Sequence, residues 1–77
     1  MKLNERQAKI INILEKNDSL SPSDIHILIG EDLYSRPTIN RDLVKLLDNN
    51  IIKQYYFMGL QLPKEQVLQD QGYFIVI

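Results

Sequence analysis

The stretch Ser35–Asn50, with the sequence SRPTINRDLVKLLDNN, decides the fold of this chain. Its large aliphatic side chains recur at the i, i+4, i+7 and i+8 positions of one helical face, which predicts a helix with a buried side. These inward residues are Ile39, Leu43, Leu46 and Leu47. The flank and the opposite side carry mostly polar residues, namely Asn40, Arg41, Val44 and Lys45. Ser35 caps the predicted helix, Pro37 is tolerated in its first turn, and Asn49-Asn50 ends it.

The exposed side of this helix has two interpretations. A polar face on an isolated amphipathic helix is most often simply solvated. A face that carries Thr, Asn, Arg and Lys can instead lie in the major groove of DNA, which is wide enough to admit a helix. The free amides and the helix dipole near Ser35–Thr38 also favour an anion such as a phosphate. The order of the elements on either side favours the second interpretation.

The composition fits one small domain. The chain has 77 residues, of which 44% are hydrophobic, enough for three short helices around one core but not for a deep enzyme cleft. It contains no Cys, which excludes disulfides and thiolate metal sites and is typical of a reducing cytoplasm. The apolar runs Ile10–Leu14 and Tyr73–Ile77 are too short to span a bilayer, and the start MKLNERQAK lacks the apolar core of a signal peptide. We therefore expect a cytoplasmic location and no membrane partner.

A first helix is predicted over Leu3–Asn17. Asn4 is a suitable N-cap, and Gln7 stands three residues later, at the spacing of a capping box. Leu3 before the cap and Ala8 after it can form a hydrophobic staple. The side chains expected to face inward are Leu3, Gln7, Ile10, Ile11 and Leu14.

A second helix is predicted over Ser21–Gly30, after a brief extended piece at Ser19-Leu20. Ser21 caps it, Pro22 occupies the first turn and Gly30 suits the C′ position. Its inward residues are predicted to be Ile25, Leu28 and Ile29.

The second helix contains one side chain that could take part in catalysis or metal binding. His26 lies off the predicted inward stripe, and a single His without Cys cannot make a metal site, so we expect an ordinary surface side chain. The connector Glu31–Tyr34 leads to the third helix, with Leu33 or Tyr34 as a core anchor.

Two strands are predicted after the helices. Ile51–Phe57 and Gly72–Ile77 are rich in β-branched and aromatic residues. We expect them to pair antiparallel across Met58–Gln71, within which residues 64–70 can add a helical turn.

The order of elements, together with specific residues, resembles a winged helix. The run Ser35-Arg36-Pro37-Thr38-Ile39-Asn40-Arg41-Asp42-Leu43, then Leu46 or Leu47 and Asn50-Ile51-Ile52, is similar to the recognition helix of bacterial DeoR-type regulators. It is also similar to the C-terminal winged helix of Fic-type AMP-transferases. The resemblance covers most of the chain to about Lys53. It implies an α+β, mainly α fold: a three-helix winged helix-turn-helix with a small antiparallel β-hairpin wing.

The function implied by this resemblance is DNA binding, with the third helix (35–50) in the major groove, by a bacterial transcriptional regulator or a Fic-type protein. The expected partner is double-stranded DNA, bound by a homodimer or by a domain of a larger parent protein. The residues implied to contact DNA are Ser35, Arg36, Thr38, Asn40, Arg41 and Lys45. Asp42 leaves two possibilities open, since it either fixes Arg41 or pairs elsewhere within the protein.

The charge of the chain favours an alternative function. The net charge is −1, whereas free-standing DNA-binding domains are often basic. The expected wing, Met58–Gln71, holds one Lys against Glu65 and Asp70, so it departs from the basic or Gly-rich tip of DNA-binding winged helices. The alternative is a protein-interaction or dimerisation winged helix without a nucleic-acid role. Within the wing, 59–63 is either a docking segment or a cover over the core.

Enzyme function is not expected. The sequence shows no paired carboxylates, no metal-ligand set, no nucleophile–base pair and no phosphate-binding Gly loop. The His-containing catalytic motif of Fic-type enzymes is also absent. We therefore predict no catalytic residues, no metal and no cofactor in this chain.

Overall fold

Three helices precede a two-stranded antiparallel sheet in the computed structural model, which describes residues 1–55 and 73–77. The fold is α+β and mainly α, with the element order of a winged helix, as predicted. The elements in chain order are α1 (Glu5–Lys16), α2 (Pro22–Gly30), α3 (Arg36–Asp48), β1 (Ile52–Tyr55) and β2 (Tyr73–Val76). The predictions for the segment 58–71, including a helical turn at 64–70 and docking by 59–63, lie outside the described residues.

Each helix begins immediately after its predicted cap. The side chain of Asn4 accepts a hydrogen bond from the backbone N–H of Gln7 (2.7 Å), and the Gln7 side chain accepts one from the Asn4 N–H (3.1 Å). Ser21 and Ser35 each accept a hydrogen bond from the amide three residues later. These bonds satisfy amides that have no partner inside the helix. Consequently α1 is shorter than the predicted Leu3–Asn17, because Leu3 precedes the cap.

The end of α3 is fixed by a reversal of the backbone. Asn50 has a φ of 57°, in the left-handed region that Asn tolerates better than most residues. The Asn50 amide bonds to the Leu47 carbonyl and the Ile51 amide to the Leu46 carbonyl, both at 3.0 Å. This pair of hydrogen bonds is the Schellman pattern, and it directs the chain from α3 into β1.

The sheet lies beside the helices with Phe74 near its centre. Phe74 pairs with Gln54 of β1 in the antiparallel register, and on its other side it forms a bridge to Leu20. The Leu20 and Phe74 backbones exchange two hydrogen bonds, of 3.1 and 2.7 Å. The short extended piece predicted at Ser19-Leu20 therefore adds a single-residue third strand to the hairpin.

The core joins all three helices to both strands. Its buried hydrophobic residues are Ile10, Leu14, Leu20, Ile25, Ile29, Ile39, Leu43, Leu46, Ile52 and Phe74. Ile11, Tyr34 and Leu47 are half-buried against it. Among the described residues, no helix is long and apolar enough to cross a membrane.

Two predicted inward side chains are exposed instead. Leu28 is 54% exposed, because α2 contacts its neighbours through a narrow stripe of Ile25 and Ile29, and Leu28 is rotated about 100° from Ile29 on the helix. Leu3 is 37% exposed, because it precedes the Asn4 cap and its side chain is not placed by the helical repeat of α1.

Candidate nucleic-acid interface

The outward side of α3 carries a stripe of polar residues at Thr38, Arg41 and Lys45. Their i, i+3, i+7 spacing places them on one face. Arg41 and Lys45 are exposed and Thr38 is half-buried, whereas Ile39 is fully buried. The two faces predicted for this helix are therefore present.

The stripe meets the helix cap at its N-terminal end. Besides accepting the Thr38 amide, the Ser35 hydroxyl lies 2.9 Å from the Thr38 hydroxyl. Arg41 donates from Nη2 to Thr38 Oγ1 at 3.4 Å, a long bond at an exposed position. Hydroxyls, a guanidinium and the positive end of the helix dipole thus lie together, in a combination suited to a phosphate oxygen.

Arg36 links α3 to α2 within the molecule. Its Nε donates to Asn40 Oδ1 at 3.3 Å, and its Nη1 donates to Ser23 Oγ at 3.2 Å. A guanidinium engaged in this way must exchange these bonds to reach DNA. Arg36 is therefore placed at the edge of the surface and serves the packing of α2 on α3.

Asn40 does not lie on the exposed face, so its predicted position was wrong. It is only 5% exposed, and its side-chain oxygen receives the Arg36 hydrogen bond. Asn40 follows the buried Ile39 by one position and Arg36 by one helical turn. This places it on the flank of α3 and not on its outward side. It lacks the exposure that a base contact requires.

Asp42 pairs within the protein and not with Arg41. Its carboxylate is almost fully buried and accepts two hydrogen bonds from the Arg6 guanidinium, with Nη2 to Oδ1 at 3.1 Å and Nε to Oδ2. Gln7 Nε2 adds a third hydrogen bond, to Oδ1 at 3.2 Å. Arg41 is thereby left without this carboxylate, which removes one of the two possibilities that the sequence left open.

Arg6 is a residue that the sequence analysis missed. Its guanidinium carbon lies 5.6 Å from the centre of the Tyr34 ring, a cation–π distance. The hydrogen bond to Asp42 raises the pKa of Arg6. The guanidinium is charged at every ordinary pH even without this shift. Its position immediately before Gln7 in the inward part of α1 is the only signal that could have suggested this role.

His26 is more than a surface side chain. It is half-buried, and its Nε2 lies 2.6 Å from the backbone oxygen of Tyr34. Because Tyr34 directly precedes the Ser35 cap, this contact holds the start of α3 against α2. The expectation of an ordinary surface position was therefore wrong, although the contact is structural.

The described residues bring together one compact set of groups suited to an anion. They form no candidate metal centre. Within residues 1–55 and 73–77, no three His, Cys, Asp or Glu side chains are close enough to hold a metal ion. Comparisons of the chain with protein-family models, with curated proteins and with solved structures found no significant match.

Proposed function

We propose that this chain is a DNA-binding winged-helix domain, of the kind found in bacterial transcriptional regulators and Fic-type proteins, that inserts α3 into the major groove. The observation that carries the proposal is the exposure of Arg41 and Lys45, four residues apart, on the face of α3 opposite its buried stripe. Cations at this spacing on a groove-sized helix can meet phosphates or guanine edges. The domain would act in the cytoplasm and carry no chemistry of its own.

The internal pairing of Asp42 supports this role by changing the charge that α3 presents. The helix contains Arg36, Arg41 and Lys45 against Asp42 and Asp48. Since the Asp42 carboxylate is buried and neutralised by Arg6, it does not oppose a phosphate at the surface. Exposed Asp48 remains on this side, seven residues after Arg41, so the exposed side of α3 carries Arg41 and Lys45 against one carboxylate. It is still more basic than the net charge of the chain suggests.

The roles of the six predicted contact residues now differ. Arg41 and Lys45 are proposed to reach the DNA directly. Ser35 and Thr38 would bind a phosphate at the start of α3, and Arg36 would contribute only at the edge. Asn40 would make no contact with DNA, because it is buried.

Few cations are available, so binding by a single copy should be weak. Phosphate neutralisation supplies most of the affinity of non-specific complexes, and two exposed cations give little of it. A dimer, or a parent protein that adds a second DNA-binding surface, would supply the rest.

The experiment is a fluorescence anisotropy titration of the chain with duplex DNA at low salt. Arg41→Ala with Lys45→Ala should abolish measurable binding. The matched control is Lys9→Ala with Lys16→Ala, which removes the same charge from exposed positions on α1 and should retain most of the binding. Equal binding by the two double variants would show that α3 does not enter the groove.

Protein interaction or dimerisation without a nucleic-acid role is the second candidate function. The net charge of −1 and a group of exposed aliphatic residues on α2 favour it. It predicts no duplex binding even at low salt. Size-exclusion chromatography with light scattering would then report whether the partner is a second copy.

A further inference from the structure

The outer surface of α2 exposes three large aliphatic side chains together. Ile27 and Leu28 are adjacent on the helix and are 57% and 54% exposed, and Leu33, just beyond it, is 71% exposed. Leu33 folds back over the helix end, since its Cδ1 lies 3.0 Å from the position that a Cβ on Gly30 would occupy. Single exposed aliphatics are ordinary on a protein surface, but three on one end of a helix are typical of a contact site.

Carboxylates flank this apolar group at the two ends of α2. Asp24 lies one turn before Leu28, Glu31 lies one turn after Ile27, and Asp32 adjoins Leu33 in the chain. All three acids are exposed, and none makes a salt bridge within the part of the chain that the structure describes. We refer to the six residues Asp24, Ile27, Leu28, Glu31, Asp32 and Leu33 as the α2 patch.

The charge of the α2 patch restricts what can cover it. DNA is excluded, because three carboxylates repel phosphates. A symmetric contact with a second copy is also disfavoured, because a two-fold interface places the same surface against itself. The three carboxylates of one copy would then face the same three of the other. The complementary occupant is apolar in the middle and basic at its margins.

We propose that the α2 patch docks a basic amphipathic helix from a protein partner. The distance from Asp24 to Glu31 along α2 is about 10 Å at 1.5 Å per residue, which matches two turns of an opposing helix. Leucine-like residues of that helix at i, i+3 or i+4, and i+7 would cover Ile27, Leu28 and Leu33. Lysines or arginines beside them would meet Asp24, Glu31 and Asp32.

This proposal goes beyond DNA binding and does not depend on it. The α2 patch is acidic, whereas the outward stripe of α3 is basic. A ligand whose charge complements one surface is therefore repelled by the other. A partner bound on α2 could accompany DNA on α3. The two sites should therefore respond to separate sets of substitutions.

The test uses a designed helical peptide with leucines on one face and lysines beside them as the probe. Its binding to the ¹⁵N-labelled chain would be followed by NMR, with a peptide in which glutamates replace the lysines for comparison. We expect shift changes centred on residues 24–33 with the lysine peptide and none with the glutamate peptide. Equal binding of both peptides, shifts centred elsewhere or no binding by either would overturn the proposal.

Substitutions in the chain complete the test. Leu28→Ser with Leu33→Ser should weaken the lysine peptide by about tenfold or more, the loss expected at an interface hot spot. Glu31→Lys with Asp32→Lys should weaken it similarly. The matched controls Leu3→Ser and Glu15→Lys change an exposed aliphatic residue and an exposed acid outside the patch and should have no effect.

Two further results would decide the matter. The variant with Arg41→Ala and Lys45→Ala should bind the lysine peptide as the unaltered chain does, whatever it does to DNA. Self-association that Leu28→Ser with Leu33→Ser abolishes would assign the patch to a second copy and contradict the proposal. Thermal denaturation would confirm that each variant is folded before its binding is interpreted.

Discussion

The carboxylate of Asp42 on α3 is held in a two-bond pairing by the guanidinium of Arg6 on α1. The two residues differ in exposure, since the Asp42 side chain is 3% exposed and that of Arg6 is 29% exposed. Gln7 adds a hydrogen bond to the same carboxylate, and Tyr34 packs against the guanidinium. The pair therefore sets the rotation of α3 relative to α1, and with it the direction in which Arg41 points.

Removing Arg6 should cost more stability than neutralising Asp42. Arg6→Met leaves a buried carboxylate with only Gln7, so we expect a loss of about 2 to 4 kcal/mol, somewhat below the usual range because the pair lies at the edge of the core. Asp42→Asn leaves Arg6 partly hydrated and should cost about 1 to 2 kcal/mol. Urea denaturation of both variants at neutral pH measures the difference. A larger loss for Asp42→Asn would contradict this account.

The same pair should give a flat dependence of stability on pH through the mildly alkaline range. The pKa of Arg6 is raised in the folded state, so its contribution is complete below the unfolded-state pKa and is lost only as the pH rises through the higher folded value. Both values lie far above neutral pH. Any loss of stability in the mildly alkaline range must therefore come from another group. Its dependence on pH should be the same in Arg6→Met as in the unaltered chain.

Gln54 on β1 should be replaceable by an apolar residue with a gain in stability. It is fully buried, and neither its Nε2 nor its Oε1 has a hydrogen-bond partner among the described residues. An unsatisfied buried polar group costs about 1 to 3 kcal/mol, so Gln54→Met should raise the free energy of unfolding by that order.

The control for this substitution is Gln54→Ala, which also removes the amide but leaves a cavity and should destabilise the fold. Thermal and urea denaturation would rank the three proteins. A loss of stability in Gln54→Met would show that the amide is satisfied in solution.

Ser35 allows helix capping to be separated from the proposed DNA binding. Asp is as good an N-cap as Ser, so Ser35→Asp should keep the stability of the fold within about 0.5 kcal/mol, whereas Ser35→Ala should lose about 1 kcal/mol. The added charge should nevertheless repel a phosphate and weaken DNA binding. Denaturation and duplex titration of both variants measure the two effects. Unchanged affinity in Ser35→Asp would place the start of α3 away from the phosphates.

The salt dependence of the proposed DNA binding should be shallow. With Arg41 and Lys45 as the available cations, the slope of log K against log salt is expected to be roughly −2 per copy. Arg36 can add up to one further unit if it releases Asn40 and Ser23. Each single substitution of Arg41 or Lys45 should reduce the slope by about 1. A slope near −6 would require cations outside α3.

The helices were predictable because their signals are local. A cap residue satisfies an amide three positions away, so Asn4, Ser21 and Ser35 could be assigned from short stretches of sequence. The buried stripe of α3 follows from helical spacing alone. The strands at 51–57 and 72–77 were located by composition, and the structure confirms strand pairing within them at 52–55 and 73–76.

The site was less predictable because it depends on neighbours that are distant in sequence. The pairing of Arg6 with Asp42 crosses from α1 to α3, and nothing near either residue specifies it. The covered part of each helix likewise depends on its neighbours in the fold, so the burial of Asn40 and the exposure of Leu28 were mispredicted. The contact between His26 and Tyr34 was likewise invisible without the fold.

The position of β2 between Leu20 and β1 has a consequence for synthesis on the ribosome. Three helices and β1 can emerge and begin to associate, yet the strand that joins the two sides of the sheet comes from residues 73–76. Until Phe74 is released, Leu20 and Gln54 flank an open gap and the hydrophobic centre is exposed to water. Nascent chains whose Phe74 is still inside the exit tunnel should therefore be bound by chaperones or degraded. Chains tethered through a C-terminal extension long enough to release Phe74 should resist proteases.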